Sequence, residues 1–438
     1  FKETSKELLE FLSKSPTAFH AVENYRQILN ADGFKELLES EHWDIVPGGK
    51  YYVTRNNTSI LAFKVGTKLD NYSFNIVTSH TDSPTFKVKE NAEIEVKNKY
   101  TQLNTEGYGG MLCATWLDRP LSIAGRVLVS EGNSIVTKLL NIDRDLLMIP
   151  NVAIHMNRAA NDGFKYNLQV DMLPLLSGGD DRQKDFKQII ADELGVKKED
   201  ILGHDLYLYN RMAPSIWGAN EEFISSGHLD DLQCGFASLK ALLASYNDES
   251  IDIMACFDNE EVGSGTKQGA DSTLLRDTLI RINNALGKTE EDYHRALASS
   301  FMLSADNAHA VHPNHPEHTD VTNCTYMNEG VVVKSHAGQK YTSDGVSMAV
   351  VKSLASGADV PLQYFANRSD KAGGSTLGNI AMAQASMNAV DIGLPQLAMH
   401  SSYETAGIKD TYYAISLMKA LFDSHIQETS THSLEIKR

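Results

Sequence analysis

Five short segments of the sequence each place a carboxylate or a histidine after an apolar run. The side chains concerned are His80, Asp230, Glu260, Glu261, Asp306 and His400. If each run is a strand that stops at these residues, all of them reach one edge of a sheet, where open α/β sheets bind ligands. Imidazoles and carboxylates bind zinc-like ions, so the pattern predicts a two-metal centre with hydrolytic chemistry.

The number of ligands suggests how the residues divide the work. Two ions that share one carboxylate need two histidines, two terminal carboxylates and one bridging carboxylate, and one further carboxylate is then free to accept a proton. In the favoured arrangement Asp230 bridges the ions. His80 and Asp306 complete one site, and Glu261 and His400 complete the other.

Glu260 is then the free base. Adjacent residues in an extended segment point to opposite sides, so Glu260 and Glu261 divide these roles only if one turns toward the metals and the other toward the water between them. Asp82 lies two residues after His80, where its side chain can orient the imidazole from behind.

Six further strings occur in order along the chain. They are His80-Thr-Asp-Ser-Pro84, Tyr108-Gly-Gly, Asp258-Asn-Glu-Glu-Val-Gly-Ser264, Ala305-Asp-Asn-Ala-His-Ala-Val-His-Pro-Asn314, Gly373-Gly-Ser-Thr-Leu-Gly378 and Met399-His-Ser401. Together they resemble the aspartyl aminopeptidase and vacuolar aminopeptidase I family of dinuclear zinc exopeptidases, over nearly the whole chain. Two departures stand beside the bridging aspartate. Asp231 occupies a position where the resemblance leads us to expect Asn, and Gly227-His228 replaces an expected Arg-containing string.

The resemblance implies an enzyme that removes single amino-terminal residues from peptides with two zinc ions per chain, with cobalt or manganese as other divalent candidates. It also implies a cis peptide bond after Asp230. Family members prefer either acidic or neutral amino-terminal residues. Lys334 matches a position that could pair with an acidic side chain, and a pocket shared with His309 and His312 would favour that preference. The competing interpretation of Lys334 is an exposed strand lysine.

The segment Leu147-Met-Ile-Pro-Asn-Val-Ala-Ile-His155 is apolar and ends in a polar residue, as the catalytic segments do. One interpretation is a β-strand that completes its own domain, with His155 satisfied locally. The resemblance implies another role: an inserted domain pairs the subunits, dimers assemble into a dodecamer, and His155 reaches into a neighbour's site.

The long stretch between His80 and Asp230 lacks candidate ligand pairs and is rich in β-type alternation. We therefore expect an α/β fold, with a mixed-sheet zinc exopeptidase catalytic domain and an inserted, mainly β dimerisation domain. The expected bounds are 1–90 and 216–438 for the catalytic domain and 91–215 for the insert. Helices are predicted near Phe186 to Leu194 and over Leu232 to Tyr246, and a strand over Ile251 to Phe257.

Composition limits the partners. The chain has 438 residues, 42% of them hydrophobic, which is enough for two domains with their own cores. A formal charge of -17 makes nucleic acid or an anionic membrane an unfavourable partner. The four cysteines are far apart, and no apolar run of about 18 residues occurs, so we expect reduced thiols and a cytoplasmic protein.

Less specific interpretations compete with these. The Glu260-Glu261 pair alone could be a solvated loop, Asp306 could cap a helix, and the turn Gly373–Thr376 could be structural or a backbone cradle for substrate. The same metals would also permit a carboxypeptidase, or a deacylase acting on an N-acyl amino acid or a small amide. A catalytically silent scaffold on the same fold is the remaining alternative.

Overall fold

The computed structural model describes residues 1–438, which form nine α-helices and 22 β-strands. The helices are α1 (Lys2–Ser13), α2 (Ala18–Ala31), α3 (Phe186–Leu194), α4 (Leu229–Ala244), α5 (Leu274–Ala285), α6 (Glu290–Ala298), α7 (Gly345–Gly357), α8 (Leu377–Gln384) and α9 (Asp410–Phe422). The strands are β1 (Lys35–Leu37), β2 (Lys50–Arg55), β3 (Ser59–Val65), β4 (Ser73–His80), β5 (Thr85–Val96), β6 (Tyr100–Tyr108), β7 (Leu121–Glu131), β8 (Ser134–Asn141), β9 (Leu175–Gly178), β10 (Ile201–Asn210), β11 (Ser215–Trp217), β12 (Phe223–Ser226), β13 (Ser250–Phe257), β14 (Phe301–Ala305), β15 (Ala308–His309), β16 (Val331–Lys334), β17 (Leu362–Phe365), β18 (Asn388–Gly393), β19 (Pro395–Leu397), β20 (Glu404–Gly407), β21 (His425–Ser430) and β22 (Ser433–Lys437).

A nine-stranded mixed sheet forms the centre of the molecule, in the order β1-β2-β3-β13-β4-β14-β18-β16-β17. Strands β13, β4, β14 and β18 are mutually parallel, and every residue of β4, β13 and β14 is buried. Parallel sheets of this kind are covered on both faces, which explains the continuous apolar runs in the sequence. The predicted strand Ile251–Phe257 is confirmed, and so is the α/β class.

Helices cover both faces of this sheet. Helices α1, α2, α4, α7 and α9 pack with one face in a core cluster of 45 buried residues. Helices α5, α6 and α8 pack with the other face in a cluster of 28. The predicted helix over Leu232 to Tyr246 is present, and it begins three residues earlier than expected, at Leu229.

A separate six-stranded antiparallel sheet spans residues 85–210, in the order β8-β7-β10-β5-β6-β9. It has its own core cluster of 21 buried residues, to which α3 contributes Phe186 and Ile190. Helix α3 has the predicted bounds, with Asp185 as its N-cap and Gly195 ending it in a left-handed conformation. The insertion of a mainly β unit into the catalytic unit follows from this topology, and the bounds 91–215 stay a prediction.

One ion-pair network on the antiparallel sheet also contacts the unit built around the nine-stranded sheet. Asp205 on β10 pairs with Lys87 at 2.9 Å and with Arg126 at 2.8 Å. Arg126 also donates to the backbone oxygen of Asn56 at 3.0 Å and stacks over the ring of Phe19, so its side chain spans the two units. No helix of the structure is long and apolar enough to cross a membrane.

Candidate metal centre

The central sheet delivers four of the predicted side chains to its carboxyl edge. His80 is the last residue of β4, Glu260 and Glu261 follow β13 in a short 3-10 turn, and Asp306 follows β14. His80 Nε2 lies 4.0 Å from Glu260 Oε2 and 3.9 Å from Asp306 Oδ1. The parallel strand order thus brings together residues that are up to 226 positions apart in sequence.

Asp230 and His400 do not come from that sheet. Asp230 lies at the irregular start of α4, after β12, and His400 follows β19. Both strands belong to a smaller sheet in the order β11-β12-β20-β19-β15. The expectation that all six side chains share the edge of one sheet is therefore wrong. Two sheets meet at the site, and each contributes one histidine.

The Asp230 carboxylate stands between the two imidazoles. Its Oδ1 is 3.3 Å from His80 Nε2, and its Oδ2 is 3.4 Å from His400 Nε2. His400 Nε2 is also 3.3 Å from Glu261 Oε2. The side chains therefore form two groups around one shared carboxylate, His80 with Asp306 and His400 with Glu261.

Both imidazoles are held from behind by backbone oxygens. His80 Nδ1 lies 3.0 Å from the oxygen of Asp82, and His400 Nδ1 lies 3.0 Å from the oxygen of Gly110. A carbonyl oxygen only accepts, so each Nδ1 carries the proton and donates it. In the neutral ring, the lone pair of Nε2 then faces the carboxylates, as a metal ligand requires.

The Asp82 carboxylate fixes the turn that carries the two glutamates. It accepts hydrogen bonds from the backbone N–H of Glu260 at 3.2 Å and of Glu261 at 3.1 Å, and from the Tyr108 hydroxyl at 2.7 Å. Its Oδ1 is also 3.3 Å from His80 Nδ1. The turn has left-handed Asn259 before it, which allows both glutamate side chains to face the centre. Asp82 thus acts by positioning the groups around it.

The loop that follows β6 of the antiparallel sheet forms part of the wall of the metal centre. Gly109 follows β6 at φ +74°, and a Cβ added there would lie 3.1 Å from the Cβ of Glu261. A side chain at Gly109 would therefore be strained by its backbone and would also press on the glutamate. The backbone N–H of Leu112 donates to the oxygen of His400 at 3.0 Å, which anchors the same loop to the second histidine.

Glu404 is a buried residue of the site that the sequence does not reveal. Its carboxylate accepts from the backbone N–H of Asp230 at 3.0 Å and of His400 at 2.7 Å. Burial, together with the charge of Asp230, raises the pKa of Glu404 to about 8. Glu404 lies inside a short strand four residues after His400, and nothing in its local pattern distinguishes it from a structural residue.

Asp231 contributes in a different way from its neighbour. The Asp230–Asp231 peptide bond is cis, in agreement with the resemblance. Asp231 is buried, and its Oδ2 accepts from the backbone N–H of His80 at 3.1 Å. The unexpected aspartate therefore supports the backbone of a predicted ligand. His228, the other departure, is the left-handed residue directly before α4.

The site is well suited to cations. His80 Nε2, Asp230 Oδ1 and Glu261 Oε1 are buried and have no hydrogen-bond partner. Unpartnered buried polar atoms are costly, and four carboxylates cannot remain ionised side by side without compensation. One ligand atom from each of His80, Asp230 and Glu261 lies within 4.8 Å of the other two, a spacing that metal ligands can adopt. The residues present therefore fit a metal centre.

The two glutamates differ in their surroundings. The side chain of Glu261 is 4% exposed and contacts His400, whereas that of Glu260 is 16% exposed and its carboxylate accepts no hydrogen bond from the protein. Burial and the neighbouring Asp306 carboxylate raise the pKa of Glu260 to about 8. Glu260 is therefore the more solvent-accessible of the two carboxylates, as a group that exchanges protons with water must be.

Two of the remaining predicted residues, His309 and His312, line a cavity of about 270 Å³. The wall of this cavity also includes Leu397 and Ala398, shortly before His400. Lys334 is 3% exposed, so its interpretation as an exposed strand lysine is wrong. Its Nζ donates to the backbone oxygen of Asn307 at 3.0 Å. Burial opposes the charge of Lys334, but the Asp306 carboxylate raises its pKa, so the ammonium stays protonated inside the protein.

His155, the last of the predicted site residues, is exposed. Its segment contains turns but no strand, and only Leu147 to Ile149 form isolated β-bridges. The turn Gly373–Thr376 precedes α8, and the Thr376 hydroxyl donates to Asp391, which gives that end of the turn a structural role.

Comparisons with known proteins agree with this geometry. A family model described as aminopeptidase I zinc metalloprotease (M18) matches residues 11–422. A probable M18 family aminopeptidase 2 from Clostridium novyi (strain NT) is 48% identical over 425 residues, covering 96% of this chain and 98% of that protein.

Solved structures are similar over the same extent. A chain of the cryo-EM structure of the Ape4 and Nbr1 complex matches with a TM-score of 0.93 and 35% identity, over 96% of this chain and 86% of that chain. The structure of the S. cerevisiae mApe1 dodecamer matches with a TM-score of 0.84 and 27% identity, over 96% of each chain.

Proposed function

Because the chain belongs to the aminopeptidase I zinc metalloprotease (M18) family, it is a metalloaminopeptidase, and we propose that it holds two zinc ions at the metal centre. The position of Asp230 is the observation that indicates two zinc ions and not one. Each of its oxygens faces a different imidazole, at 3.3 and 3.4 Å, with a second carboxylate beside each pair. Asp230 would bridge the ions, with His80 and Asp306 on one and Glu261 and His400 on the other.

When bound, the two ions would polarise the scissile carbonyl and lower the pKa of water from about 15.7 toward 7. The protein's own contribution is proton transfer and orientation. Glu260 accepts the proton of the attacking water and returns it to the leaving amine. Asp82 holds the Glu260 turn and the His80 imidazole in place, and Glu404 holds the backbone of Asp230 and His400.

We further propose a preference for acidic amino-terminal residues. The cavity beside the centre is lined by His309 and His312, and by Lys371 and Arg368. Arg368 is paired with Asp370 at 2.9 Å, so Lys371 is the free cation of this wall. Because Lys334 is buried and bound to the backbone, its contribution to the preference would be electrostatic and would pass through Asp306 rather than through a direct contact.

A homo-oligomer, built from dimers into a dodecamer, is the proposed assembly. Apolar side chains are unusually exposed in the irregular segment around His155, including Met156 at 81%, Val170 at 71% and Val152 at 55%. Exposed apolar patches mark interaction surfaces. The yeast relative in the comparison is a dodecamer, which supports the same assembly here. The reduced state of all four cysteines supports a cytoplasmic location.

One experiment tests the metal number and the substrate class together. Elemental analysis of the purified protein should find two zinc ions per chain. A panel of amino-acid anilides with free amino groups should be cleaved, fastest with Asp or Glu, while the matching N-acyl amino acids should not be. One ion per chain would contradict the bridging role of Asp230, and equal rates for Asp and Leu anilides would contradict the acidic preference.

A further inference from the structure

Histidine occurs at every third residue after the Asp306 strand, at His309, His312, His315 and His318. The last three rings stand next to one another on the surface. The ring centroids of His312 and His315 are 5.4 Å apart, and those of His315 and His318 are 5.3 Å apart. The two-ion centre does not use His315 or His318, so their proximity needs a separate explanation.

Glu317 completes a set of three donors with these two imidazoles. Its Oε1 lies 3.1 Å from His315 Nδ1 and 3.9 Å from His318 Nε2. One donor atom from each residue lies within 4.8 Å of the other two. Tetrahedral zinc with bonds of about 2.0 to 2.2 Å separates its ligand atoms by about 3.3 to 3.6 Å. The two distances to Glu317 bracket that range, and the two imidazoles lie within 4.8 Å of each other, so small side-chain rotations would bring the three donors around an ion.

The chemistry of this set selects the kind of ion. Two imidazoles and one carboxylate suit zinc and similar transition metals, whereas magnesium and calcium prefer oxygen ligands. Three protein ligands leave one position for water. The nearest competing cation is Arg368, whose guanidinium pairs with Asp370 at 2.9 Å and is therefore already neutralised.

Exposure sets this group apart from the buried centre. The side chains of His315, Glu317 and His318 are 58%, 59% and 64% exposed, against 1% for His80 and 3% for Asp230. An ion held here would exchange with the solvent. His318 also lines the cavity of about 270 Å³ that contains His309, so the ion would lie at the rim of the space beside the metal centre.

We propose that His315, Glu317 and His318 form a third, exchangeable zinc site at this rim. The site is independent of the two-ion centre and binds zinc more weakly, because its donors are exposed to solvent. It would fill when free zinc rises above the level that the buried centre needs.

The test counts ions on the intact protein. Wild-type protein and the variants His315→Gln and His318→Gln are dialysed against rising free zinc, and bound zinc per chain is measured. His294→Gln is the matched control, because His294 is equally exposed on a helix and has one carboxylate, Glu290, at 3.8 Å but no third donor. Wild type and control should bind one more zinc than the two variants, whose affinity at this site should fall by at least about tenfold.

The difference between wild type and variants does not depend on how many ions the buried centre holds. A failure of the two-ion proposal would change the plateau that all proteins share, and would leave the difference intact. Equal zinc uptake by wild type and both variants, or displacement of the extra zinc by a tenfold excess of magnesium, would overturn the proposal. Unchanged thermal unfolding of the variants would show that the fold is preserved.

Discussion

Replacing Glu260 with Gln should abolish most of the activity while the protein stays folded and loaded with metal. The Glu260 carboxylate accepts no hydrogen bond from the protein, and its side chain is 16% exposed, so an amide of the same shape leaves no partner unsatisfied. The proposed metal ligands are untouched by this change. The substitution therefore removes one function, the acceptance of a proton.

The size of the effect follows from that function. General acid–base catalysis by one residue contributes about 10² to 10⁴ in rate, which corresponds to about 2.7 to 5.4 kcal/mol of transition-state stabilisation. The loss should appear in kcat, with KM little changed, because Glu260 does not hold the substrate in the ground state. Steady-state kinetics on an amino-acid anilide, with zinc content measured on the same sample, gives both quantities.

Glu261→Gln is the control, since the two residues are adjacent and the substitution is the same. Glu261 Oε2 is 3.3 Å from His400 Nε2, and its Oε1 is buried without a partner, so this variant should lose zinc. If Glu260→Gln keeps near-normal turnover with zinc bound, Glu260 is not the base. If both variants lose zinc equally, the division of roles between the glutamates is wrong.

Three other changes test the surroundings of the site. Gly109→Ala should lower zinc affinity at least about tenfold, because the new methyl group would press on Glu261. Gly132→Ala is the control, since Gly132 has a similar positive φ of +63° but no neighbour within 4 Å, and its zinc affinity should not change. Equal zinc affinities of the two variants would contradict the contact with Glu261. Burial would raise the pKa of Asp205, but its two paired cations hold that pKa below its usual value. The stabilisation is therefore present above about pH 3.9 and is lost as the pH falls through the lowered pKa, so Asp205→Asn should cost about 1 to 3 kcal/mol at pH 7. In urea unfolding the gap to wild type should close toward pH 3, and a constant gap would refute the ionic origin. His155→Ala should lose activity but keep zinc, and mixing it with Glu260→Gln should restore some activity through shared sites, unless verified subunit exchange leaves the mixture inactive.

The proximity of three of the predicted side chains could be read from the sequence because their signals are local. Each apolar run that forms a buried parallel strand is followed by a proposed site residue, and the register of these strands places His80, Glu260 and Asp306 together. Helix α3 was equally predictable, since it has an aspartate cap and a terminal glycine. In these places local pattern and tertiary structure agree.

The errors concern relations that no local pattern carries. Short strands such as β12 and β19 read alike whether they join a large sheet or a small one, so the separate origin of Asp230 and His400 was not visible. Lys334 reads as exposed because it is charged, yet β16 is buried along its whole length. Glu404 binds backbone N–H groups that approach it only after both sheets have docked.

The order of the ligands along the chain affects when the enzyme can become active in a cell. With the proposed set, His80 and His400 are 320 residues apart, and the whole antiparallel unit is translated between His80 and Asp230. At about 5 to 20 residues per second, roughly 16 to 64 s of synthesis separates the two histidines. A nascent chain therefore carries a complete insert and an incomplete metal centre while residues 211 to 400 are being translated. Peptidase activity is confined to chains whose translation has passed His400, so unfinished or prematurely terminated products cannot digest peptides.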